Sequence, residues 1–237
     1  MNIEDRWLLV KLARTYGFLV VSDEVYHLLN WSSQRPARFS VLDQICAEQS
    51  ESKGCSVSVN SFTKIFTPGI RFGFIEGPKD VIESISDHGY IQSQGACTPF
   101  VGNVMRTALT SGLQDKILRN LIQAYRERSE VLCDILETEP GIKIHNRPRG
   151  GYFIWIEFLH IASTDNFYQY CLDRGVKFMP GTKCDPFLES CEQSMQPKDL
   201  CHNAARLCFA DMDKQDVSDG AMLLVALYRE YVEKYLN

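Results

Sequence analysis

Residues 18–22, Phe-Leu-Val-Val-Ser, are almost uninterruptedly apolar and then stop at Asp23-Glu24-Val25-Tyr26. A run this short and this apolar suits a parallel strand buried on both faces, which requires helices packed on the sheet. The preceding segment complies. From Ile3 to Tyr16, the residues Leu8, Leu9, Leu12 and Ala13 share one helical face, and Gly17 supplies a helix end. Polar residues that appear where such a strand emerges lie where ligands gather in open α/β sheets.

The rest of the chain alternates in the same way. Residues 30–54 are polar and mixed, with a short helix near 41–47. Residues 55–60 and 71–76 read as strands, the second closed by Gly77-Pro78. Lys79–Ser86 and residues 100–111 read as helices, with a loop over 95–99 between them. The longest periodic stretch, 114–139, carries Ile117, Leu118, Leu121, Ile122, Tyr125, Val131, Leu132, Ile135 and Leu136 on one stripe and ends at Pro140-Gly141. A β-α-β unit follows: strand 142–145, turn 147–151, strand 152–158, helix 165–174 and strand 176–179. A polar stretch over 183–203 leads to a strand at 206–210 and a closing amphipathic helix over 213–236. We place a domain boundary inside the long helix near residue 115, giving units 1–115 and 116–237.

The chemistry concentrates in Ser61-Phe62-Thr63-Lys64-Ile65-Phe66-Thr67-Pro68-Gly69-Ile70-Arg71. A hydroxyl stands three residues before the lysine and an arginine seven residues after it, and Pro68-Gly69 permits the turn between them. A positioned, partly neutral lysine amine is a nucleophile towards an aldehyde. A hydroxyl with a guanidinium is a natural cradle for a phosphate dianion, since the arginine fork matches phosphate oxygens. Lysine beside a phosphate cradle is what pyridoxal 5'-phosphate requires.

Bulk properties exclude other classes. The net charge of -5 argues against a nucleic-acid partner, and no apolar run approaches the length of a membrane span. The first residues, Met1 to Arg6, are acidic and helical rather than those of a targeting peptide, so a soluble, cytoplasmic protein is expected. Nine cysteines, at 46, 55, 97, 133, 171, 184, 191, 201 and 208, contain no CxxC pair and read as reduced thiols. Cys184, Cys191, Cys201 and His202 match no zinc spacing, so no metal site is expected.

Five motifs occur in order: Asp23-Glu24-Val25-Tyr26, the lysine segment, Pro148-Arg149-Gly150-Gly151-Tyr152-Phe153-Ile154-Trp155, Pro180-Gly181, and Arg206-Leu207-Cys208-Phe209-Ala210. In this the chain resembles a fold-type I pyridoxal-phosphate-dependent aminotransferase of the class I/II group. It is most similar to the branch containing α-aminoadipate, kynurenine and aromatic aminotransferases. The resemblance implies an α/β fold: the C-terminal part of the PLP-dependent transferase fold, with an incomplete, mixed, mostly parallel large-domain sheet and a small α+β C-terminal domain. It also implies an enzyme of amino acid metabolism and biosynthesis that moves an amino group between an amino acid and a 2-oxo acid, through a Lys64 Schiff base. By the same resemblance, Lys64 shuttles the proton and Asp23 pairs with the pyridine nitrogen. Tyr26 bonds the cofactor's phenolic oxygen, Ser61 and Arg71 bind its phosphate, and Arg206 clamps the substrate carboxylate. A homodimer is implied, with neither nucleic acid nor membrane as partner.

Proteins of this kind also carry an upstream portion with a phosphate loop, a ring that stacks on the cofactor and an Asn-Pro-x-Gly motif, none of which appears before Met1. The sheet is therefore expected to lack strands and to show open edges and an incomplete apolar face. The alternative reading is a truncated, non-catalytic relative without a complete active site.

Overall fold

Two local devices delimit the first helix. The Asn2 side chain accepts the N–H of Asp5 at 2.7 Å, and Gly17, at φ 71°, returns its N–H to the carbonyl of Ala13. Between them lies α1 (Ile3–Tyr16). The structure, a computed structural model, describes residues 1–50, 53–93, 95, 98–185 and 201–235. Cys97 and Cys191, and most of the polar stretch over 183–203, lie outside the described residues. The chain divides into two units, Met1–Ile122 and Gln123–Asn237, with the division inside the long helix that the sequence divides near residue 115.

The first unit continues with β1 (Val20–Asp23), α2 (Phe39–Ser50), β2 (Ser56–Ser61), β3 (Gly73–Glu76), α3 (Lys79–Ser86), α4 (Gly89–Gln92) and α5 (Pro99–Thr110), and it contains the start of α6 (Leu113–Leu136). Its sheet runs β1-β2-β3 and is mixed. β1 and β2 are parallel, with Val20 opposite Ser56 and Asp23 opposite Val59. β3 returns antiparallel, with Ser61 opposite Gly73. Val10 and Ala13 of α1 pack with Phe39 and Leu42 of α2 and with Cys55.

A single buried carboxylate ties those elements together. Asp43 accepts the N–H groups of Cys55 (2.6 Å) and Ser56 (2.9 Å), the Cys55 thiol (3.3 Å) and the Arg14 guanidinium (2.5 Å). Burial by itself raises the Asp43 pKa. The Cys55 N–H, Arg14, the thiol and the Ser56 N–H together outweigh that and hold it below the ordinary aspartate value.

β1 departs from expectation. It begins two residues later than the apolar run, and Val21 is 65% exposed, with Phe18 and Leu19 exposed before it. Among the described residues only β2 pairs with it, and its outward face is left open. An apolar run reports what a strand is suited to touch, and the cover itself comes from other segments. The short α4, inside a region read from sequence without an element, rests on His88 Nδ1 accepting the Tyr90 N–H at 3.3 Å.

The second unit holds the rest of α6, then β4 (Ile142–Ile144), β5 (Phe153–Phe158), α7 (Thr164–Leu172), β6 (Met179–Pro180), β7 (Ala204–Cys208) and α8 (Lys214–Tyr235). Its sheet order is β4-β5-β7-β6, every neighbouring pair antiparallel. β5 and β6 therefore run parallel, and the expected β-α-β unit is present with β7 inserted between its strands. β6 shrinks to two residues because Gly175, at φ 89°, turns the chain and Val176 returns its N–H to Cys171. Ile154, Ile156 and Phe158 alternate into the core, where the Phe158 ring meets Phe167 at 5.0 Å and Tyr228 at 5.5 Å. Tyr228 also shares a 2.7 Å hydrogen bond with His160 Nδ1. Gly141 is required there, since a Cβ would lie 2.2 Å from the Tyr228 hydroxyl oxygen.

Two outcomes follow for stability. Asp43→Asn removes the negative charge paired with the buried Arg14 guanidinium and lowers unfolding free energy by about 3 kcal/mol, measurable by urea denaturation. Because the folded Asp43 pKa is depressed, its contribution is complete above about pH 4 and is lost as the pH falls through the folded value. The wild type therefore loses stability more steeply below pH ~4 than Asp43→Asn does. Gly141→Ala forces Tyr228 aside and costs about 2 kcal/mol in the same assay.

Candidate active site

The parallel register of β1 and β2 places their C-terminal ends on the same side of the sheet, and β3 starts from that side. With Asp23 opposite Val59 and Ser61 opposite Gly73, the residues Asp23, Ser61, Lys64 and Arg71 gather at one end of the three-stranded sheet. Tyr26 joins them in the turn that leaves β1, where its carbonyl accepts the Leu29 N–H at 3.0 Å. This is the end at which a polar ligand meets an open α/β sheet.

Lys64 lies half-buried in a tight turn whose ends are pinned by apolar neighbours. The Phe66 N–H bonds back to the Phe62 carbonyl at 2.9 Å, and Phe62 and Ile65 are buried. The Phe62 ring packs on Phe72 (5.8 Å) and Phe74 (5.7 Å), and Gln114 Nε2 donates to the Ile65 carbonyl at 3.3 Å. The lysine is thus carried on a turn whose backbone is held from both sides.

The Ser61 hydroxyl caps the same turn, accepting the Thr63 N–H at 3.1 Å and donating to the Phe72 carbonyl at 3.4 Å. Arg71 adopts a left-handed conformation, φ 49°, and its Nη1 donates to Thr63 Oγ1 at 3.3 Å. The arginine thus bonds to Thr63, which the sequence reading passed over. A Ser-x-Thr pair of hydroxyls directly before the lysine was the available signal. Asp23 is exposed, and its Oδ1 accepts the Val25 N–H at 3.3 Å, a short local bond that holds the carboxylate at the strand end.

Arg206 stands in the second unit, on β7 and opposite Trp155. Strand alternation puts it on the face away from Ile154 and Ile156, together with Phe153 and Trp155. Its guanidinium lies over the Phe153 ring, 4.3 Å from the centroid, and among the described residues no ion pair engages it. A half-buried arginine held by a ring, with no ion pair to its fork among the described residues, can take a carboxylate bidentately. A recess of about 590 Å³ lies at the other end of β2, lined by Ser40, Asp43, Lys53, Glu76 and Asp80, and it includes none of the predicted site residues.

Residues 3–222 match the family described as aminotransferase class I and II. The aromatic-amino-acid aminotransferase 1 of Thermococcus litoralis is 25% identical over 237 residues, covering 99% of this chain and 52% of that protein. The 2-aminoadipate transaminase of Thermus thermophilus is 24% identical over 221 residues, covering 91% and 50%. Among solved structures, Pyrococcus horikoshii kynurenine aminotransferase superposes with a TM-score of 0.80 at 25% identity, covering 98% of this chain and 53% of that one. The chain spans about half the length of these relatives.

Proposed function

Because the chain belongs to the class I and II aminotransferase family, we propose that the protein transfers an amino group between an amino acid and a 2-oxo acid with pyridoxal 5'-phosphate as cofactor. The observation that carries this reading is the gathering of Asp23, Ser61, Lys64 and Arg71 at one sheet end. The donor set there fits the cofactor: an amine for its aldehyde, a carboxylate for its ring nitrogen, and a guanidinium with two hydroxyls for its phosphate.

Pyridoxal phosphate, when bound, supplies the electron sink that lets the substrate Cα–H bond break. In this reading Lys64 would hold the cofactor through Nζ; once the substrate amine takes its place on the cofactor, the freed Nζ amine would take the proton from the substrate Cα and later deliver it. The Asp23 carboxylate holds the proton on the ring nitrogen. The Tyr26 hydroxyl donates to the phenolic oxygen, and Ser61 and Arg71 hold the phosphate dianion, with the Thr63 hydroxyl beside them. Arg206 orients the substrate through its α-carboxylate.

Within the family the named matches support the 2-aminoadipate, kynurenine and aromatic branch. The same reading has the protein act as a homodimer in the cytoplasm. Exposed Phe100 and Val104, one turn apart on α5, support a covered face, and the free cysteines among the described residues support a reducing compartment.

Purified protein titrated with pyridoxal phosphate is expected to develop a near-visible absorbance band that Lys64→Ala abolishes. A folded wild type without that band overturns the reading and favours a non-catalytic relative. Arg206→Ala is expected to keep the band and raise KM for the amino acid about 100-fold, the value of a lost charge-assisted bidentate contact.

A further inference from the structure

Of the four residues Asp23-Glu24-Val25-Tyr26, only Glu24 is buried, at 6% exposure, and it has no part in the chemistry above. Alternation at the end of β1 explains its direction. Asp23 is exposed on one side, and Glu24 turns to the other, towards α1 and the start of α2. There Glu24 Oε1 accepts Arg6 Nη1 at 3.1 Å and the Phe39 N–H at 3.4 Å. Arg6 Nη1 also donates to the Ala37 carbonyl at 2.9 Å, and the guanidinium lies 5.0 Å from the centroid of the Phe39 ring. The Glu24 backbone is bound as well, its N–H to the Val59 carbonyl at 2.9 Å and its carbonyl to the His27 N–H at 2.9 Å.

Stability alone does not explain this pair. Glu24 Oε2 and Arg6 Nε are buried with no hydrogen-bond partner among the described residues, so both desolvation costs are incompletely offset. An apolar pair of similar volume beside Phe39 would hold α1 to β1 as well or better. What apolar groups lack is direction. The ion pair and the Phe39 N–H bond fix the depth and rotation of the turn that follows Asp23 and carries Tyr26.

We propose that Arg6 and Glu24 are positioning residues: they set where Asp23 and Tyr26 stand for the cofactor, acting from the opposite side of the strand end. This rests on the functional reading above. It concerns the precision of the site more than the cohesion of the fold, as outer-shell partners do elsewhere.

The test compares wild type with the double variant Arg6→Met/Glu24→Leu by melting midpoint and by pyridoxal-phosphate titration. The expected result is a melting midpoint at or above that of wild type, a dissociation constant raised about tenfold, and an absorbance band displaced in wavelength. A folded double variant with the wild-type band and affinity overturns the positioning role while leaving the functional reading intact. A wild type that forms no band overturns both. If the double variant does not fold, Glu24→Asp decides. It keeps both charges and draws the turn inwards by one methylene, so affinity weakened at an unchanged midpoint supports the role and unchanged affinity overturns it.

Discussion

The strand register that sets out the functional groups of the first unit starts from one carboxylate. Asp43 sits on α2 and binds the two N–H groups at the entry to β2, the Cys55 thiol and the Arg14 guanidinium from α1. These contacts set the starting point of β2, and register then carries the decision along the strand. Because β1 is parallel to β2 and β3 antiparallel, the height at which Ser56 begins fixes where Asp23, Lys64 and Arg71 end. A shift of one residue would turn each side chain to the other face. The buried charge is thus a ruler as well as a tie.

The second unit is organised by packing. Phe158, Phe167, Phe178 and Tyr228 fill its centre with mutually tilted, edge-on and stacked rings, and Gly141 leaves the space that Tyr228 occupies. Alternation along β5 sends one set of residues into that core and the other set, with Arg206 across from it, to the opposite face. Arg206 is consequently rigid at its base and steered at its tip by Phe153.

How much of this could be read from the sequence depended on how local the cause was. The bounds of α1 and α3 and most of the apolar stripe of α6 were legible, because helix ends and periodicity act within a few residues; Cys133, buried on α6, was not read as part of the stripe. The positions of Ser61, Lys64 and Arg71 were legible for the same reason, since one short segment carries all three. Thr63 escaped because its bond to Arg71 depends on the left-handed backbone at Arg71. The Phe153–Arg206 contact escaped because it is diagonal across a strand pair whose members lie far apart in sequence. The open face of β1 escaped for a broader reason: an apolar run encodes a demand for cover and says nothing of its source.

That open face also bears on how the unit behaves as it leaves the ribosome. Residues 18–21 join β-branched and aromatic character to an absence of charge, and one side of β1 has no paired strand among the described residues. An extended segment from any chain could add there through main-chain bonds alone. Burying that edge is then a matter of timing, because any partner strand competes with every neighbouring polypeptide that presents an extended segment.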